Sequence, residues 1–94
     1  MTEANTSRVA CAILQYLHHN PNAQDTVAGI TEWWLPRQEI STPAGTVKNA
    51  LGLLLVRELI LEVKGKDSQS HYRINDRKWA DIEALLESGF DVEQ

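Results

Sequence analysis

The sequence predicts a mainly α domain with one small antiparallel β-hairpin: three helices, the hairpin, then a C-terminal helix. Three observations lead there. Apolar residues recur at three- and four-residue spacing in four segments, the pattern of one-sided helices. A fifth segment alternates on both sides of a polar turn, the pattern of a hairpin. Proline and capping residues fall between the segments and separate them. The chain has 94 residues, enough for one domain and short for two. The domain is expected over 6–88, with loose tails at 1–5 and 89–94.

The first helix is predicted from Thr6 or Ser7, either of which caps it, to His19. Val9, Ala10, Ile13, Leu14 and Leu17 form its apolar stripe. Asn20-Pro21-Asn22 stops it, because a residue before proline avoids the helical region. A second helix follows Asp25 as cap, with Val27, Ile30 and one of Trp33 and Trp34 on its inner face. The alternative places Thr26 in a short extended stretch before that helix. Neighbouring helical side chains point about 100° apart, so only one tryptophan is core. Pro36 ends the segment.

A connector, 36–42, ends in Ser41-Thr42-Pro43, capping residues followed by proline at the first helical position. The third helix then runs from Pro43 to Glu58 and buries Val47, Leu51, Leu54 and Leu55. Next, Leu61 and Val63 alternate with Glu62 and Lys64, and Tyr72 and Ile74 with His71 and Arg73. Turn residues 65–70 lie between, so the hairpin spans Ile60–Asn75. Asn75-Asp76 caps a last helix, from Arg77 to Ser88, with Trp79, Ile82, Leu85 and Leu86 on one face. Gly89 ends it.

Composition narrows the function. No apolar run approaches the ~18 residues of a membrane span, and the first residues lack the features of a signal peptide. The protein is therefore expected in the cytoplasm and off the membrane. A single cysteine, Cys11, rules out a disulfide within the chain and sits among small apolar residues. The net charge of −4 conceals an asymmetry. Residues 81–94 carry five acids and no base, whereas 36–80 carry eight bases against five acids. Binding to phosphate depends on that local surplus more than on the total. Adjacent His18-His19 lack the i, i+4 spacing of paired metal ligands, and no nucleophile arrangement or phosphate loop is present. No enzyme activity, metal or cofactor is expected.

The order helix, helix, capped helix, hairpin, helix resembles the winged helix-turn-helix. The resemblance rests on Asp25–Trp34, then Ser41-Thr42-Pro43-Ala44-Gly45-Thr46-Val47, then Leu51, Leu54, Leu55, Leu59 and Ile60, then Tyr72-Arg73-Ile74. It is similar to a common bacterial pattern and covers about Ser7–Asn75. Two features depart from it. Glu58 stands where the turn before the wing commonly has glycine, and the connector exceeds a tight helix-turn-helix turn.

The resemblance implies a DNA-binding transcriptional regulator, with the third helix in the major groove and the wing on the backbone. Thr42, Thr46, Lys48 and Asn49 would face double-stranded DNA from the helix, and Lys64, Lys66, His71 and Arg73 from the wing. Lysine reaches phosphate or guanine, and an asparagine amide pairs with adenine. Each base is otherwise a solvated surface charge. The surplus of apolar residues supports a second reading, a winged helix used for protein contact without DNA. Leu53, Val56, Trp79, Ile82 and Leu86 are the expected homodimer interface, the alternative being that they cover the domain's own core.

Overall fold

The computed structural model describes residues 2–38, 40 and 42–88, with side chains described from residue 6 onward except that of Arg37. The expected tail at 89–94 and the capping residue Ser41 lie outside these residues. Helix α1 is Thr2–His19. It starts before the expected caps Thr6 and Ser7 because Glu3-Ala4-Asn5 contains no glycine or proline to break it. It stops at Asn20-Pro21 as expected, where Asn20 donates to the Tyr16 carbonyl through both its main-chain N–H and its side-chain amide, each at 2.9 Å.

Thr26, not Asp25, caps α2 (Val27–Gly29). Its extended backbone (φ −85°, ψ 173°) lets its hydroxyl accept from Gly29 N. Asp25 is instead extended, exchanging main-chain hydrogen bonds with Tyr72 while its carboxylate accepts from Thr26 N at 2.7 Å. That carboxylate lies against Gly29, where any side chain would collide with it. α2 widens into a π turn at Ile30–Trp34, closed by Leu35 N donating to Ile30 O at 3.2 Å. The two tryptophans separate as expected. Trp34 is buried and stacks on Tyr16 at 4.5 Å, and Trp33 is 65% exposed.

A 3-10 turn, Pro36–Gln38, opens the connector. Pro43 is the N-cap of α3 (Ala44–Val56) and not its first residue, and its own side chain makes no capping hydrogen bond. Its ψ of 155° is extended, and its carbonyl accepts from Thr46 N and Val47 N. Val47, Ala50, Leu51 and Leu54 face the core. At the far end Glu58 adopts φ 64°, with Glu58 N donating to Leu55 O and Leu59 N to Leu54 O. This is a Schellman ending, with buried Leu59 and Leu54 as its apolar contact. The position asks for the left-handed conformation that glycine adopts freely, so Glu58 is strained there. Glu58→Gly is expected to stabilise the fold by about 1 kcal/mol, read as a higher urea midpoint at unchanged m-value. The exposed Lys78–Glu58 contact at 3.9 Å that it removes offsets little of this. An unchanged midpoint would count against the strain.

Strands β1 (Ile60–Lys64) and β2 (Ser70–Ile74) pair antiparallel, Ile60 against Ile74 and Lys64 against Ser70. Asn75 then does two things. Its amide donates to Glu58 O at 2.8 Å, and its carbonyl oxygen caps a 3-10 turn, Asp76–Lys78, through Arg77 N. Helix α4 (Trp79–Ser88) follows. His18 stacks on Trp79 at 4.7 Å and lies 3.3 Å from the Glu83 carboxylate, which ties the end of α1 to α4. The buried side chains of α1, the π turn, α3, β1, β2 and α4 form one apolar cluster with Leu35 and Leu59, with α1 against α3, α4 and β2. The described chain is thus mainly helical with a two-stranded antiparallel hairpin. Among the described residues no helix is long and apolar enough to cross a membrane.

Candidate nucleic-acid interface

The core-facing residues of α3 recur at Val47, Ala50, Leu51 and Leu54, so the opposite face falls on Gly45, Lys48, Asn49, Gly52 and Val56. Lys48 and Asn49 are exposed, and so are Ala44 and Gly45 before them. Thr42 and Thr46 are half-buried. Among the described residues, leaving aside the adjoining residues and the helix's own backbone, nothing stands within 4 Å of where a side chain at Gly45 or Gly52 would begin, so the helix surface at these two positions is open. The helix is held by its buried side while Lys48 and Asn49 project from the other.

The hairpin corrects one expectation. Reading each strand alone puts Lys64, His71 and Arg73 on a shared polar side. Paired residues point to the same face, and the register couples even numbers with even and odd with odd. Ile60 and Ile74 are both buried, so the even face turns toward the core. It carries Glu62, Tyr72, Lys64 and Ser70. The odd face carries Leu61, Val63, His71 and Arg73. Lys64 is therefore on the opposite side of the hairpin from His71 and Arg73. Alternation within a strand gives its two faces, but only the register between strands says which faces coincide.

The bases differ in how free they are. Among the described residues no carboxylate lies within 4.0 Å of Lys48, Lys64 or Lys66. Arg73 sits 4.0 Å from Asp76, and the His71 ring 3.4 Å from Asp67. Gly65 makes room for that second pair, since a side chain there would meet the His71 ring at 2.6 Å. The Asp67 carboxyl is held below its ordinary value, first by the Gln69 N–H that it accepts at 3.1 Å and then by His71. On the even face Ser70 donates its hydroxyl to Glu62. Burial, and then the Glu62 charge, push the Tyr72 phenol up.

The expected dimer residues do not form one outward patch. Ile82 is fully buried in its own chain's core, so it has no surface to offer another subunit. Leu53 and Leu86 are half-buried against that core, and Trp79 is occupied by His18. Val56 alone of the set is exposed, at 82%. The four-residue apolar run at Leu53–Val56 thus splits by helical geometry into one core residue, two flanking ones and one in solvent. One feature of this surface had no signal in the sequence pattern, the pairing of Asp25 with Tyr72. Among the described residues no group of three histidine, cysteine, aspartate or glutamate side chains is arranged to hold a metal ion.

Comparison with known proteins finds no family model, no curated protein and no solved structure that matches this chain.

Proposed function

We propose that this chain is a winged-helix protein that binds double-stranded DNA as a transcriptional regulator, with α3 in the major groove and the hairpin on the backbone. One observation carries the reading. Lys48 and Asn49 lie exposed and adjacent on the outer face of α3, which leads directly into a hairpin bearing Lys64, Lys66, His71 and Arg73. The element order supports the fold assignment. So does the Asp25–Tyr72 pairing, which joins the segment before α2 to the hairpin and makes helices and wing one unit. Asn49 has the donor and acceptor that adenine requires, and Lys48 reaches guanine or phosphate. Thr42 and Thr46, at the start of the helix, can donate to phosphate. The hairpin lysines add charge without sequence preference.

The test is a titration of mixed-sequence duplex DNA with nanomolar protein at several salt concentrations. Affinity is expected to fall linearly on logarithmic axes as salt rises. Absence of binding at the lowest salt would overturn the reading. The protein-contact alternative draws on the exposure of Trp33 and Val56. Under it, Lys48→Ala and Asn49→Ala leave partner binding unchanged, whereas Trp33→Ala weakens it.

A further inference from the structure

The outer edge of β1 is open. Leu59 O accepts from Asn75 N at 3.1 Å and Gly65 N donates to Gln69 O at 2.8 Å. These two bonds bracket the ladder, so Leu61 and Val63 exchange main-chain hydrogen bonds with β2 while the N–H and C=O groups of Glu62 and Lys64 point away from it. The outward groups of β2 are used, since Tyr72 exchanges its pair with Asp25. Among the described residues nothing pairs with the main-chain groups of Glu62 and Lys64. On the odd face of the same strand Leu61 is 39% and Val63 37% exposed. An unpaired edge of this kind is a template for another strand.

We propose that β1 of one copy pairs antiparallel with β1 of a second copy, across a two-fold axis through Val63. The charge pattern selects both occupant and register. With the axis at Val63, Glu62 of each copy stands opposite Lys64 of the other, giving two cross-strand ion pairs. An axis at Glu62 would oppose two carboxylates, and one at Lys64 two ammonium groups, both destabilising. The selected register also brings the outward main-chain groups of Glu62 and Lys64 into direct hydrogen-bonded pairs, four bonds in all. On the odd face Val63 meets Val63, and the Leu61 side chains flank them as a continuous apolar strip. The Glu62 carboxylate, which accepts from Ser70, has a second oxygen for the lysine of the other copy. The result is a four-stranded sheet built from two hairpins. Its contact is small, so the dimer is weak and forms at high protein concentration. It does not depend on the DNA reading, and pairing withdraws Lys64 from any phosphate.

The test is sedimentation equilibrium of the 94-residue chain up to about 1 mM, a range that detects weak dimers. The wild type is expected to dimerise. Glu62→Lys and Lys64→Glu are each expected to weaken the dimer at least about tenfold, because both ion pairs become repulsive. Circular dichroism is expected to show both variants folded, as both sites are exposed. An equimolar mixture of the two variants is expected to restore the dimer, because each lysine then faces a glutamate. The double variant Glu62→Lys, Lys64→Glu is also expected to dimerise. A wild type that stays monomeric would overturn the proposal. So would a mixture that fails to associate while both variants are folded, or single reversals without effect.

Discussion

Leu54→Ala is expected to destabilise the fold by about 3 kcal/mol, lowering the melting temperature by roughly 15 °C for a domain this size. Leu54 is fully buried on α3, where the helix crosses α1. It also forms the apolar contact with Leu59 that closes the turn into β1, and its carbonyl accepts from Leu59 N. Truncation removes the buried methyl groups and leaves a cavity that helices anchored at both ends cannot close. Val56→Ala, two residues on, is the control. That side chain is 82% exposed, and its loss is expected to change stability by less than about 0.5 kcal/mol. Urea denaturation of the two variants beside the wild type checks both values. Equal losses would mean that the run Leu53–Val56 is oriented differently.

That run shows what periodicity can and cannot deliver. Helical spacing says that four consecutive apolar residues cannot all be inside, and Val47 and Leu51 point to Leu54 as an inner one. The same reasoning separates Trp33 from Trp34 without saying which is core, because the π turn shifts the phase of the helix at that point. The stop at Asn20-Pro21 and the cap at Asn75 were legible because each depends on one residue's own backbone chemistry. The second bond of Asn75, to the Glu58 carbonyl, was not, since it joins residues that only the hairpin brings together. Asp25 reads as a helix cap for the same reason. Its competing use, pairing with Tyr72, involves residues 47 positions apart in the chain. The hairpin itself was legible from alternation, but its faces were not. Strand parity follows from the register, and the register is fixed by the burial of Ile60 with Ile74 at the base.

That correction changes what neutralising the bases should do. On the proposed DNA-binding reading, replacing Lys48, Lys64, Lys66 and Arg73 together by alanine would remove up to four phosphate contacts. Each contact contributes about 0.9 to the slope of log affinity against log salt, so the slope should fall by about 3 and affinity near 0.1 M salt by roughly 1,000-fold. The four bases should not contribute equally. Lys48 and Lys64 are exposed with no described carboxylate within 4.0 Å, so each should account for nearly a full contact. Arg73 is already beside Asp76, on the face that also presents exposed Leu61 and Val63. Arg73→Ala should therefore move the slope less than Lys64→Ala does. Asp76→Asn should raise the contribution of Arg73 by releasing it. If Arg73→Ala has the larger effect, the hairpin meets DNA through its odd face, and the apolar pair must lie against the duplex. If neither single change moves the slope while Lys48→Ala does, α3 alone carries the contact and the hairpin edge is left for association. The two hairpin faces thus give DNA binding a directional test that a single basic patch would not have offered.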